Sequence, residues 1–208
     1  MLFRSSSVPP APDSLTVNVN QPGQYVRVQL TGNSPREFSL AEVEVMGISS
    51  TLPPPVNVAL SKPASQSSDA YGGIAARGVD GNSSGFFGDG HMTHTGLQVE
   101  PWWEVNLGAS YMIQTIKVYN RTECCIERLN DSYVFVSSTP LVGRTLTDIL
   151  NDCSVQRFQI GQLQTGPGAP QVVPLPAVNW RGQYVRVQLK GPAAREFSLA
   201  EVEVMGSN

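Results

Sequence analysis

The stretch GQYVRVQLKGPAAREFSLAEVEVMG, residues 182–206, decides the fold of this chain. In YVRVQL (184–189) the Val, Val and Leu side chains alternate with Arg and Gln, and in AEVEV (200–204) two Val alternate with Glu. Successive side chains of a strand point to opposite faces of a sheet, so this alternation is typical of strands that bury one face. The stretch therefore predicts two half-buried strands of an antiparallel sheet.

The same stretch occurs earlier in the chain, at residues 23–47, and differs at only four of 25 positions. We call residues 23–47 the first copy and residues 182–206 the second copy, and we expect the same two strands from both. The region between the copies occurs once, which indicates one complete domain and the tail of another. The predicted division is a partial repeat at 1–47, a proline-rich linker at 48–55 and a complete domain at 56–208.

Several further segments between the copies have the alternation of strands. They are PWWEVNLG (101–108), IQTIKVYN (113–120), RLNDSYVFVSSTP (128–140), QRFQIG (156–161) and APQVVPLP (169–176). Only TLTDILND (145–152) suggests a helical turn. With about eight strands in total, the predicted fold is an all-β antiparallel sandwich, an eight-stranded jelly roll, with function in loops gathered at one end.

Composition excludes several classes of function. The net charge of −3 and the pI near 5.4 leave no basic surface for nucleic acid. No apolar run approaches the ~20 residues of a membrane span, so membrane insertion is not expected. There is no carboxylate pair placed for sugar hydrolysis, no nucleophile elbow and no phosphate loop, so the chain is not predicted to be an enzyme.

The segment NRTECCIERL (120–129) places two adjacent cysteines between two arginines. A disulfide between Cys124 and Cys125 closes no loop of useful length, so its role must be local. It offers a small apolar plate beside the guanidinium donors of Arg121 and Arg128. One face of a sugar needs such a plate for its C–H groups and such donors for its hydroxyls, and His94 is a candidate further donor.

These residues resemble the fucose-binding signature of the F-type lectins, or fucolectins, which have a discoidin-like (coagulation factor type C) fold. The signature is His94, 26 intervening residues, Arg121-x-Glu123 and then Arg128. The resemblance covers about 56–208, with NVALSKPASQSS, GVDGN, THT, PWWEVNLG, NRTECCIERL and FSLAEVEV in order.

The resemblance implies a fucose-binding role for each residue of the signature. It implies that His94, Arg121 and Arg128 bind L-fucose and that the Cys124–Cys125 disulfide packs on the sugar ring. Glu123, where the family usually has Asp, would orient its neighbours. In the loop GFFGDG, Phe87 is the candidate contact for the fucose methyl group, with Phe86 as the substitute.

The resemblance also implies a structural calcium ion. Calcium prefers oxygen ligands, among them carboxylates and backbone carbonyls. Asp80 and Glu201 would supply the carboxylates. The rest of the predicted set consists of the carbonyls of Arg77, Asn82 and His91, together with Ala200. Cys153 stands where relatives have a paired cysteine, and we expect it to be free.

Each of these residues also has an ordinary explanation when taken alone. His94 would be a turn histidine, Arg121 and Arg128 solvated surface charges, and the DGN at 80–82 a tight turn. The spacing of the whole set favours sugar binding. The alternative function is a discoidin-like adhesion module that binds lipid headgroups or protein through its loops, a role that does not need these residues.

The expected partners are fucosylated glycans, with neighbouring sugars read by loops 69–74 and 83–91. The N-terminal residues show no secretory signal, but a vicinal disulfide needs an oxidising setting, which predicts a secreted or cell-surface location. The strands of the first copy need a sheet to complete. They could pair with another chain to give a homo-oligomer, or compete with residues 182–206 for the same place in the sheet, with Glu42 in place of Glu201. They could instead be a fragment of a tandem array, and these explanations stay open.

Overall fold

The fold is given by a computed structural model that describes residues 16–17, 26–46, 54–163, 172–175 and 179–207. The chain divides into two units, Met1–Ser49 and Ser50–Asn208. The predicted linker at 48–55 lies mostly outside the described residues. The strands and the helix of the second unit are β1 (Val56–Asn57), β2 (Ala64–Gln66), β3 (Gln98–Val99), β4 (Trp102–Tyr119), β5 (Ser132–Ser137), α1 (Leu146–Asn151), β6 (Gln156–Ile160), β7 (Val172–Pro174), β8 (Trp180–Leu189), β9 (Ala194–Arg195) and β10 (Glu201–Ser207).

Eight of these strands form the main sheet, in the order β1-β10-β4-β8-β5-β6, with β2 and β7 also paired to β4. Strands β3 and β9 form a separate two-stranded sheet, and every pairing is antiparallel. Three short 3₁₀ helices, Ala75–Val79, Phe87–Asp89 and Ile126–Leu129, lie in the connections. The predicted all-β antiparallel sandwich is confirmed.

Strand β4 was expected as two strands and is one strand of 18 residues. The register to β8 shifts between Asn106 and Tyr111, and Gly108 has a φ of +84° in this interval. A bulge of this kind bends a strand without ending it, because both halves stay paired to neighbours. The interval expected to separate two strands, residues 109–112, therefore belongs to one continuous strand with a bulge.

The second copy supplies the centre of the sheet. Val185 and Val187 of β8 and Val202 and Val204 of β10 are fully buried, as the alternation predicts. On the other face of β8, Arg186 is also fully buried, and its Nε donates to Glu104 at 2.8 Å. A buried charge needs such a partner to offset its lost hydration.

The first copy does not form the two strands expected from its sequence. Within 26–46 the structure has no strand, and apolar side chains such as Val26 (65% exposed) and Val45 (66%) face solvent. The second copy already occupies β8 and β10, each paired on both sides. A segment without a neighbouring strand has no hydrogen-bonded ladder to join, so a nearly identical sequence takes a different structure in residues 26–46.

The helical turn expected at 145–152 is confirmed as α1. Thr145 caps it, accepting from the Asp148 N–H at 3.1 Å, while Asp148 accepts from the Thr145 N–H at 3.2 Å. This reciprocal capping box satisfies backbone donors that the first turn of a helix leaves free. Within the described residues, no helix has the length and apolar character needed to cross a membrane.

Candidate functional site

The loop that follows β4 carries the two cysteines and both predicted arginines. Asn120, which is buried, closes this loop: its Nδ2 donates to the Ile126 carbonyl at 2.9 Å and its Oδ1 accepts from the Arg121 N–H at 2.8 Å. Arg195 of β9 donates to the carbonyls of Arg128 (3.0 Å) and Asn130 (2.7 Å). The loop is therefore stabilised by hydrogen bonds within itself and by hydrogen bonds from Arg195, which belongs to the second copy.

His94 lies at the centre of the predicted set and is only 2% exposed. Its Nδ1 is 2.8 Å from the Thr95 carbonyl, and its Nε2 is 2.9 Å from Nη1 of Arg128. A carbonyl can only accept and a guanidinium can only donate, so the ring is neutral with its proton on Nδ1. Nε2 therefore accepts here, in contrast to the donor role expected for His94.

The same surroundings lower the pKa of His94. Burial is the main cause, since it disfavours the charged imidazolium, and the positive charge of Arg128 acts in the same direction. The hydrogen bond to the Thr95 carbonyl opposes them. The imidazole is consequently kept neutral beside a permanent cation.

Arg128 is held at its other end by Glu196. Its Nη2 pairs with Glu196 Oε2, and Glu196 Oε1 accepts from the Tyr71 hydroxyl at 3.1 Å. The Tyr71 ring meets His94 edge-on, with centroids 4.8 Å apart. Neither Tyr71 nor Glu196 was predicted as a direct site residue, although Tyr71 lies in the loop 69–74 expected to contact neighbouring sugars.

Arg121 lies on the Phe87 side of His94. Its Cζ is 4.8 Å from the centre of the Phe87 ring, and the Phe87 ring in turn meets His94 edge-on at 5.6 Å. Arg121 Nε and the Phe87 N–H both donate to Glu123 Oε1, at 2.8 and 3.1 Å. Of the two phenylalanines in the loop GFFGDG, Phe87 is therefore the one at the site, and Phe86, 52% exposed, makes neither ring contact.

Glu123 lies between Arg121 and the loop of Phe87 and accepts hydrogen bonds from both, which is the geometry that the predicted orienting role requires. Its partial burial alone would raise its pKa, but the hydrogen bonds from Arg121 and from backbone N–H groups lower it overall. An ionised Glu123 cannot act as a general acid. The longer side chain of Glu, compared with the usual Asp, accepts from both Arg121 and Phe87.

Cys124 and Cys125 form the vicinal disulfide that the sequence suggested. Cys124 is exposed, and Cys125 takes a left-handed backbone conformation with φ of 60°. The Cys125 carbonyl accepts from the Arg128 N–H at 3.0 Å, so the disulfide is connected directly to the residue that pairs with His94. Cys153 is exposed and free, as expected.

The predicted metal set centres on two carboxylates. The Gly81 N–H donates to Glu201 Oε1 at 3.2 Å, and Glu201 Oε2 is buried without a hydrogen-bond partner. Burial raises the pKa of Glu201 to about 8, the Gly81 hydrogen bond opposes this rise, and the charge of Asp80 adds to it. A buried carboxylate with a free oxygen next to a second carboxylate fits a bound cation, which would stabilise both charges.

The other predicted metal ligands lie around this pair. The ring of His91 contacts this pair, with Nδ1 lying 2.8 Å from Asp80 Oδ2, while the predicted ligand is the His91 carbonyl. Arg77 lies in the 3₁₀ helix that ends at Asp80, and the Asn82 N–H donates to Asp80 Oδ1 at 2.8 Å. Ala200, which precedes Glu201, is fully buried. Across the described residues no three His, Cys, Asp or Glu side chains are grouped as for a metal, and the predicted set uses two carboxylates with carbonyl oxygens.

This geometry can bind hydroxyl groups and has no evident means of catalysis. The imidazole of His94 contacts two aromatic rings, Arg128 contacts the imidazole and Arg121 lies over one of the rings. The carboxylates Glu123 and Glu196 are each engaged by an arginine. Charge-assisted donors fixed by their own partners are suited to polar ligands with many acceptors. The trio of His94, Arg121 and Arg128 predicted from spacing is brought together by the fold.

Comparisons with known proteins agree with this arrangement. Residues 77–187 match the F5/F8 type C family described as NedA-like, galactose-binding domain. A fucolectin of Anguilla anguilla is 33% identical over 153 residues, which covers 71% of this chain and 89% of that protein.

Solved structures give the same likeness. A fucose binding module of Streptococcus pneumoniae, SpX-3, is 31% identical with a TM-score of 0.60, covering 72% of this chain and 96% of that one. The lectin domain of lectinolysin complexed with Lewis B antigen is 32% identical with a TM-score of 0.59, covering 74% and 98%. These relatives are lectins and binding modules, which are non-catalytic, so the prediction that the chain is not an enzyme is confirmed. On sequence and structure together, the chain belongs to the fucolectin family, in the discoidin-like fold.

Proposed function

We propose that this protein is a lectin that binds terminal L-fucose on glycans without transforming it. The observation that carries the proposal is the cluster around His94, which contacts the rings of Phe87 and Tyr71 and Nη1 of Arg128, with Arg121 over the Phe87 ring. The relatives named as fucolectins and fucose binding modules support the same ligand, and the complex of one relative with Lewis B supports fucosylated glycans as the partner class.

We assign each residue of the cluster a different contact with the sugar or with its neighbours. Arg121 and Arg128 donate charge-assisted hydrogen bonds to the sugar hydroxyls, while Glu123 and Glu196 keep the two guanidinium groups oriented. Phe87 supplies an apolar surface for the methyl group of fucose. The Cys124–Cys125 disulfide supplies a second apolar surface, against one face of the sugar ring. His94, neutral and buried, accepts from Arg128 through Nε2 and so helps to position that guanidinium without adding a third positive charge.

The proposal includes a structural calcium ion held by Asp80 and Glu201, with oxygen ligands from Arg77, Asn82 and His91. The support is the buried, unpartnered Oε2 of Glu201 and its raised pKa. When bound, the ion supplies the positive charge that offsets two neighbouring carboxylates. Glu201 and Asp80 thereby tie β10 to the loop that leads toward Phe87.

We infer two further properties of the protein as a whole. The vicinal disulfide fits an oxidising compartment, which supports a secreted location. The first copy matches the last strands of the complete domain at 21 of 25 positions, which supports its origin as the tail of a repeated lectin domain.

The test is retention on an affinity matrix. In calcium buffer the protein is expected to bind immobilised L-fucose, to elute with free L-fucose, and to pass through an otherwise identical D-galactose matrix. Anionic phospholipid vesicles provide the comparison for the adhesion alternative. Passage through the fucose matrix with sedimentation on vesicles would reject the lectin proposal and favour the adhesion module.

A further inference from the structure

The first copy contains every apolar residue that the second copy buries. Val26 and Val28 are 65% and 48% exposed, whereas their equivalents Val185 and Val187 are fully buried. The same contrast holds for five further pairs: Leu30/Leu189, Phe38/Phe197, Leu40/Leu199, Val43/Val202 and Val45/Val204. All seven first-copy side chains therefore have a known complementary environment, which is the core around β8 and β10.

The first copy also contains the polar residues that the second copy uses. Arg27 is equivalent to Arg186, which pairs with the buried Glu104. Glu37 is equivalent to Glu196 at the sugar site, and Glu42 to Glu201 at the calcium site. The four differences, Thr31/Lys190, Asn33/Pro192, Ser34/Ala193 and Pro35/Ala194, lie in the connection between the two long strands and in β9.

The position taken by β8 and β10 accepts one copy at a time. Strand β8 lies between β4 and β5, and β10 lies between β1 and β4, so both are central. The domain cannot close its sheet without them. One position and two nearly identical segments set up a competition between the copies.

The strand register shows that the first copy can enter this position within its own chain. Val56 of β1 is paired with Gly206 of β10, whose equivalent in the first copy is Gly47. The eight residues 48–55 would then join two antiparallel neighbours as the loop of a hairpin. Eight residues span up to about 28 Å, several times the roughly 5 Å between paired residues of adjacent strands.

We propose that the two copies are interchangeable, and that residues 23–47 can replace residues 182–206 as β8 to β10 of the same domain. The product is a circularly permuted form of the fold, in which the first copy leads through a hairpin into β1. A covalent link of eight residues favours this entry over exchange with a second chain, because it gives a high effective concentration.

Residues outside the identical core bias the competition toward the second copy. β8 begins at Trp180 and Arg181, which are paired with Ile113 and Met112 of β4. The equivalent residues of the first copy are Gln21 and Pro22. Proline has no N–H to donate, and glutamine cannot replace the packing of the Trp180 ring against the core. The second copy therefore forms the longer strand, in agreement with the structure.

The experiment disables each copy in the full chain and reads out folding by circular dichroism during thermal unfolding. Val185→Asp with Val187→Asp disables the second copy, and Val26→Asp with Val28→Asp is the matched change in the first. We expect the first-copy variant to unfold like the parent. The second-copy variant should keep a cooperative transition at a lower midpoint, and the variant with all four changes should lose it.

Loss of the transition in the second-copy variant, equal to that of the fourfold variant, would overturn the proposal. A cooperative second-copy variant that light scattering shows to be a dimer would overturn entry within the chain. Because unfolding is followed without sugar, these results are independent of the proposed fucose binding. Retention on immobilised L-fucose by the second-copy variant would then report that Glu37 has replaced Glu196.

A cross-link provides a second measurement in which both copies keep their buried valines. Thr115 of β4 is paired with Met205, whose first-copy equivalent is Met46. In a Cys153→Ser background, Thr115→Cys with Met46→Cys should form an intramolecular disulfide on oxidative refolding, with Thr115→Cys and Met205→Cys as the control. A control that cross-links while the first-copy pair does not would overturn the proposal.

Discussion

Arg128→Ala should weaken binding of L-fucose strongly while leaving the fold intact. The guanidinium extends from His94 at Nη1 to Glu196 at Nη2, so it spans the centre of the site. A hydrogen bond to a charged donor contributes about 1.5–3 kcal/mol. Each such bond lost therefore raises the Kd by roughly 10- to 100-fold. The pair with Glu196 is partly exposed, 23% and 20%, so its loss should change the free energy of unfolding by no more than about 1 kcal/mol.

The assay is surface plasmon resonance on an immobilised fucosylated glycan, with free L-fucose as the competitor. The matched control is Arg181→Ala, which removes an exposed arginine of β8 outside the site. We expect parent-like binding from the control, and parent-like thermal unfolding from both variants. An Arg128→Ala protein that is folded and binds as tightly as the parent would refute the assignment of Arg128 to the site.

Three other perturbations have expected outcomes. Calcium at about 100 times its Kd should raise the unfolding free energy by about 2.7 kcal/mol, or roughly 5–10 °C in Tm, and Glu201→Gln should abolish this shift; a chelator without effect on the parent would contradict the ion site. The pKa of His94 is lowered from 6.5, so its neutral form, and with it the fucose affinity, should persist below pH 6.5 and decline as the pH falls through the lowered value. The free energy of unfolding should also decline as the pH falls, because the unfolded chain binds the proton at a higher pH than the folded chain does. An affinity that rises on acidification would contradict this role of His94. Gly73→Ala would place a β-carbon 2.5 Å from the backbone nitrogen of His94, so it should lower the free energy of unfolding by about 1–3 kcal/mol and weaken binding. In Gly96→Ala the β-carbon would lie 3.6 Å from its nearest neighbour, so this variant should be tolerated in both assays.

The parts of the fold that depend on local alternation were predictable from sequence. In the second copy, period-two alternation located β8 and β10, because a strand with one buried face must alternate. The same rule failed for the first copy, although its sequence is nearly identical. A strand is completed by its neighbours, and the alternation, which both copies share, does not record which of them obtains those neighbours.

The site was predictable where spacing carries information, and not where contacts are long-range. His94, Arg121 and Arg128 were predicted from their resemblance to the F-type lectin signature, and the structure brings them together. Glu196 is 68 residues from Arg128 in the chain and lies in the second copy, of which only Ala200 and Glu201 were predicted as site residues. Tyr71 joins it only through a side-chain hydrogen bond across 125 residues. Sequence spacing has no signal for such pairs, which the fold alone creates.

Calorimetric titration of the full chain with L-fucose in calcium buffer would show whether the cluster around His94 binds fucose. Mass spectrometry should first show that Cys124 and Cys125 are bonded in the sample. We expect saturable heat with one site per chain, and weaker binding by the Arg128→Ala variant. Absence of heat with L-fucose, in protein that holds this disulfide and unfolds cooperatively, would contradict the assignment of the cluster around His94 to fucose.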